Sequence, residues 1–136
     1  MPTDIILNKV SIIRRCIKRI HEEYDNNLEN LNNFTKQDAI ILNIQRACEA
    51  AIDIAMHIVS EKALGLPQNS RDAFDFLYEH HIIDNDLAAK LKAMVGFRNI
   101  AVHDYQSINI KIIEKIIALH LDDLLAFAEI VLKLDM

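Results

Sequence analysis

Positions 40 to 55 read Ile40-Ile41-Leu42-Asn43-Ile44-Gln45-Arg46-Ala47-Cys48-Glu49-Ala50-Ala51-Ile52-Asp53-Ile54-Ala55. Apolar side chains stand at 40, 41, 44, 47, 48, 51, 52 and 55, and Val59 follows one turn later. Steps of three and four describe one face of an α-helix and not the two-residue alternation of a strand. Downstream, Gly65 is placed to end this helix in the left-handed region, and Pro67 confirms the stop. Upstream, Thr35-Lys36-Gln37-Asp38 resembles a capping box, with an acid three residues after the cap.

The same period continues outward in both directions. Toward the N-terminus, Pro2-Thr3-Asp4 offers a helix start with Thr3 or Asp4 as the cap. Ile5, Ile6, Val10, Ile13, Ile17, Ile20 and Tyr24 then form one stripe of a helix expected to reach about Asn32. Its other face carries Arg14, Arg15, Lys18 and Arg19, and the asparagines from Asn26 to Asn33 fray its end. Toward the C-terminus, Ser70 can cap a short helix that packs Phe74, Leu77 and Tyr78 inward and closes at Glu79-His80-His81. Asp84 can cap the next, whose apolar face is Leu87, Leu91, Met94 and Val95. Gly96 inside it costs about 1 kcal/mol relative to Ala, which a close neighbour of the backbone would explain.

Ser107 can cap the last helix. Ile108, Ile112, Ile113, Ile116, Leu119, Leu124, Phe127, Ile130 and Val131 line it through Leu134. At about 1.5 Å per residue it is some 40 Å long. It holds more apolar positions than one narrow stripe needs, as expected of a helix buried both by its own bundle and by a partner. The fold class read from these elements is all-α: an antiparallel up-and-down bundle of four long helices plus one short helix, with residues 1–136 as one domain.

Composition supports that reading and excludes several chemistries. Half of the 136 residues are apolar, enough for a core, and there are only two glycines and two prolines. There is no Gly-rich phosphate loop. Cys16 and Cys48 lie in helical stretches without a CxxC, as free thiols do in a reducing cytosol. No signal peptide and no bilayer-length apolar run is present, so a cytoplasmic protein without a membrane partner is expected. Glu49, Asp53, His57 and Glu61 recur four apart on one edge of the second helix. Such a stripe can bind metal, but the Glu-x-x-His pair of di-iron bundles is missing, so it reads as a solvated or interface edge. No metal and no cofactor is expected. The net charge of −5 means that any polyanion must meet a local positive patch: Arg98, the Arg14–Arg19 cluster, or Lys90 and Lys92.

One stretch departs from regular amphipathic helix: Phe97-Arg98-Asn99-Ile100-Ala101-Val102-His103-Asp104-Tyr105. Its right edge coincides with a helix end. Arg98 and His103, five apart, stand about 140° apart around an α-helix. Groups acting on one ligand from one helix would sit three or four apart. Either the helix ends inside the stretch, or two copies of the chain build the site, and some of both is expected.

The pattern Arg-Asn-x-x-x-His-x-Tyr in a small all-helical chain resembles the signature of the HEPN superfamily, in particular its HepT-like toxin branch. Leu42 to Ala55 followed by Gly65-Leu66-Pro67 resembles that family's second helix and the turn after it. The likeness covers roughly positions 40 to 106. It implies a metal-independent endoribonuclease acting as a homodimer, with Arg98 and His103 in the cleft between subunits. It implies products bearing a 2′,3′-cyclic phosphate and a 5′-hydroxyl. It also implies a minimal nucleotidyltransferase antitoxin that transfers AMP to the tyrosine, here Tyr105.

The residue types suit that chemistry. RNA carries its own nucleophile, the 2′-hydroxyl; DNA, which lacks it, is not an expected substrate. Imidazole works near cellular pH and can move the protons. Guanidinium grips two phosphate oxygens and never deprotonates, which suits the phosphorane. Asn99 can orient Arg98 or donate to phosphate. AMP on Tyr105 brings negative charge and bulk into a site built for phosphate. A second reading is a non-catalytic helical partner subunit of a nucleotidyltransferase, against which the joint presence of Arg98 and His103 argues. A third, a helical metal carrier, rests on the Glu49–Glu61 edge alone.

Overall fold

In the computed structural model, which describes residues 3–136, the Thr3 hydroxyl accepts the Ile6 amide at 3.4 Å and starts α1, Asp4–Tyr24. Pro2, the other part of the expected start, lies outside the described residues. α1 ends well short of Asn32. Asp25 and Asn26 both take positive φ, 50° and 49°, which these residue types tolerate. Asparagine side chains then compete with the helix for the backbone. Asn30 Nδ2 donates to the Tyr24 carbonyl at 2.7 Å, and Asn27 Oδ1 accepts the Glu29 amide at 3.1 Å. A 3₁₀ turn, Leu28–Asn32, results and seats Leu31 in the core.

α2 spans Phe34–Glu61, and its cap is Asn33, not Thr35: Asn33 Oδ1 accepts the Lys36 amide at 3.1 Å. Its end also differs from expectation. Ala63 takes the left-handed position (φ 52°), and the Leu64 amide reaches back to the Val59 carbonyl at 2.9 Å. Gly65 serves a different purpose. Its φ is 154°, and a Cβ there would stand 2.8 Å from the Phe76 ring. α3 is Ser70–Glu79, capped by Asn69 rather than Ser70. Phe74 and Leu77 are buried as expected, but Tyr78 faces solvent. α4, Asn85–His103, is capped by Asp84 as read, with the Leu87 amide at 2.8 Å.

The last helix is long but not uniform. Ser107 does not cap it; Asn109 does, accepting the Lys111 amide at 2.8 Å. It runs as α5, Ile110–Lys115, a π-helical turn, Ile116–His120, and α6, Leu121–Leu132. Beyond the wide turn, His120 Nδ1 meets Asp123 Oδ2 at 2.8 Å, and Lys90 Nζ lies 3.9 Å from Asp123 Oδ1. The nearly buried Asp123 is thereby paired.

α1 lies along α2; α4 and α6 complete the antiparallel bundle, and short α3 spans α2 and α4. Ile6, Ile13, Ile20, Ile44, Ile54 and Ile58 fill the centre, and Phe74 meets Phe127 edge-to-face at 5.7 Å between centroids. Ile5, counted in the first stripe, is exposed. Cys16 and Cys48 are buried free thiols. Burial pushes the Cys48 thiol up to about 12.

Candidate active site

α4 continues unbroken through Arg98 and ends on His103. Asp104 leaves helical geometry (φ −149°, ψ 57°) while its amide still bonds to the Ile100 carbonyl at 2.8 Å. Ser107 Oγ donates to Asp104 Oδ2 at 2.6 Å, and a 3₁₀ turn, Tyr105–Ser107, carries the chain toward α5. A short polar side chain that bonds locally is what stops the helix here. The helix end therefore lies inside the quoted stretch, but after the histidine. Arg98 and His103 share one helix and face directions about 140° apart.

Arg98 is half-buried and held at two points. Its Nε donates to Asn99 Oδ1 at 3.0 Å, and its Nη2 donates to Ser70 Oγ at 3.2 Å. Among the described residues, the remaining guanidinium N–H groups have no hydrogen-bond partner. Asn99 thus orients the arginine, as its residue type suggested. Ser70, read from sequence as a cap, holds the arginine from the first turn of α3. His103 is exposed.

Tyr105 is half-exposed, and its hydroxyl donates to the carboxylate of Asp38 on the first turns of α2. Burial, then the Asp38 carboxylate beside the hydroxyl, push the phenol up to about 12. Nothing in the sequence pairs residues 38 and 105, or 70 and 98. These contacts exist only because α2 and α3 pack beside α4.

α4 also borders an apolar groove of about 390 Å³, lined by Met94, Phe97, Ile100, Ile108, Ile112 and Ile116 among others; neither Arg98 nor His103 is part of its lining. Ile100 is 40% and Ile112 46% exposed, so large aliphatic side chains meet water on this wall. Three residues of the edge Glu49, Asp53, His57 and Glu61 are otherwise engaged. Glu49 accepts from Gln45, Asp53 pairs with Lys9 at 2.9 Å, and His57 Nε2 meets the Thr3 hydroxyl. Among the described residues, no three His, Cys, Asp or Glu side chains converge as a metal site would need. Of the other cations considered for a polyanion, Arg14 pairs with Glu129, Lys18 with Glu22, Lys90 with Asp86 and Lys92 with Asp75. No described helix is long and apolar enough to cross a membrane.

Residues 13–131 match the family model described as ribonuclease HepT-like. The chain is 48% identical over 128 residues to the mRNA nuclease HepT of Shewanella oneidensis, covering 94% of this chain and 96% of that protein. It is 29% identical over 106 residues to the tRNA nuclease HepT of Aphanizomenon flos-aquae, covering 77% and 72% respectively. Its fold superposes with a TM-score of 0.90 on the tri-AMPylated Shewanella oneidensis HEPN toxin in complex with MNT antitoxin, at 48% identity over 95% of this chain and 97% of that one.

Proposed function

The chain belongs to the HepT-like ribonuclease family, and from that premise we propose that it is the toxin of a toxin–antitoxin pair, a metal-independent endoribonuclease whose site forms between two copies of the chain. Residues 1–136 act in this reading as one HEPN-like domain, and the setting is the cytoplasm. The observation that carries the proposal is the unbroken helix through Arg98 and His103. One protomer turns the two groups away from each other, and an apolar wall of the same helix and the segment after it, with Ile100 and Ile112, is exposed. A twofold partner seated on that wall brings its own His103 toward the first protomer's Arg98.

In the shared cleft, the Arg98 guanidiniums hold the scissile phosphate with the N–H groups that Asn99 and Ser70 leave uncommitted. One His103 takes the 2′-hydroxyl proton. The other returns a proton to the leaving 5′-oxygen, and the product keeps a 2′,3′-cyclic phosphate. A nucleotidyltransferase antitoxin silences the site by moving AMP from ATP to Tyr105, two residues from the histidine. Each phosphodiester so added repels the RNA backbone.

Purified protein on end-labelled RNA in excess EDTA tests the reading. Cleavage persists, and His103→Ala lowers it by about 10² to 10⁴, the usual worth of a general acid or base. Dependence on added metal, or a folded His103→Ala protein that cleaves normally, removes the assignment.

A further inference from the structure

Tyr105 and Asp38 are 67 residues apart in sequence, yet the tyrosine hydroxyl points its hydrogen at the Asp38 carboxylate. The ring is 42% exposed, so a second enzyme can reach it. Asp38 is exposed too and sits two residues past the Lys36 amide that Asn33 caps, clear of the helix's own capping contacts. Among the described residues no cation is paired with Asp38, whose carboxylate accepts from the phenol. A core contact of this kind would be enclosed. This one is open to solvent.

From this we infer that Asp38 is the proton acceptor for modification of Tyr105: the substrate chain carries its own base. The inference rests on the reading of Tyr105 as the AMP acceptor. The step balances with a nucleoside triphosphate as co-reactant. The Tyr105 oxygen attacks the α-phosphorus and forms a P–O bond. The bond from that phosphorus to the bridging oxygen of the β-phosphate breaks, and pyrophosphate leaves with the electron pair. The phenolic proton passes to Asp38 and from there to water. An aspartate that accepts the proton of an attacking hydroxyl is the arrangement protein kinases use for phosphoryl transfer. It matters more here, because a hydroxyl so placed resists ionising on its own.

The chemistry has a signature. A phenol has one oxygen, so only the first AMP can attach to it. Any later unit must be joined to a ribose hydroxyl of the one before, out of reach of the Tyr105–Asp38 contact. Asp38 therefore acts on the first addition alone. A residue that merely helps the antitoxin dock acts on all of them.

The experiment follows AMP additions by intact-protein mass spectrometry, with the cognate nucleotidyltransferase, ATP and magnesium. Unsubstituted protein, Asp38→Asn, Asp38→Glu and Tyr105→Phe are compared over a range of pH. Expected results are a 10²- to 10⁴-fold slower first addition in Asp38→Asn, partial recovery in Asp38→Glu, and loss of the acid limb of the rate profile in Asp38→Asn. Extension of already monoadenylated protein proceeds at the unsubstituted rate. Three outcomes overturn the inference while Tyr105 remains the acceptor. These are an equal first-addition rate in Asp38→Asn, a faster one (the contact is then a latch), or equal slowing of every addition (Asp38 is then a docking residue). AMP transfer to Tyr105→Phe instead overturns the reading of Tyr105 itself, and the inference with it.

Discussion

At the scale of single residues, the account depends on how Arg98 is held. Its Nε and Nη2 are tied to Asn99 and Ser70, which fixes the plane of the fork and aims the other donors. A lysine keeps the charge but cannot bond both partners and still face a phosphate. Arg98→Lys should therefore be nearly as inactive as Arg98→Ala in RNA cleavage assays. If lysine restores most activity, the arginine acts as a point charge and the clamp is wrong. The Tyr105–Asp38 contact makes a second prediction, about pH. The folded chain keeps a phenolic proton that the unfolded chain releases near the ordinary value of 10.0, because its own value stands at about 12. The stability this contributes is whole below about pH 10 and is lost as pH rises toward 12. Ultraviolet titration should show one of the three tyrosines ionising late, and Asp38→Asn should bring that limb part of the way down. An unmoved limb means that the hydroxyl does not answer to Asp38. Arg98, Asn99, His103 and Tyr105 stand out as candidates because they form one local string. Ser70 and Asp38 do not, because 28 and 67 residues separate them from the groups they hold.

At the scale of elements, the two glycines separate two kinds of constraint. A methyl at Gly65 meets the Phe76 ring at 2.8 Å, and φ of 154° suits no L side chain; a methyl at Gly96 meets only the far end of the Arg71 side chain, Nη2, at 2.9 Å. Gly65→Ala should destabilise by about 1–3 kcal/mol. Gly96→Ala should be neutral or gain up to about 1 kcal/mol from helix propensity, since Arg71 can swing aside. Denaturant midpoints measure both. A Gly96→Ala loss as large as that of Gly65→Ala contradicts the room seen around Gly96. Helix number and type were legible because three- and four-residue apolar spacing recurs along most of the chain, although it is weak on α4. Caps were less so, and the misses share a cause. Asn33, Asn69 and Asn109 cap where Thr35, Ser70 and Ser107 were expected. Asparagine, serine and threonine cap almost equally well, so composition cannot rank neighbours one or two positions apart. The π-helical turn at Ile116–His120 left no mark in the apolar spacing, because it shifts register within a run that is aliphatic on several sides.

At the scale of the whole molecule, the account holds that one chain carries all the groups of the site but cannot assemble them alone. The surplus of apolar positions on the last helix is the sequence feature that motivates this claim. Ile112 and Leu119 face water in the protomer, at 46% and 58% exposure, and Ile112 borders the apolar groove along α4. Complementation tests this most directly. Arg98→Ala and His103→Ala proteins, each inactive, are unfolded together, refolded as a mixture, and assayed on labelled RNA in excess EDTA. Mixed dimers pair the intact Arg98 of one chain with the intact His103 of the other. The account predicts that the mixture cleaves faster than either parent alone, because the shared cleft regains one Arg98 and one His103, yet stays short of the unsubstituted dimer, which has both proton carriers. Mixed dimers that form, as read by mass, yet cleave no faster than their parents would contradict it.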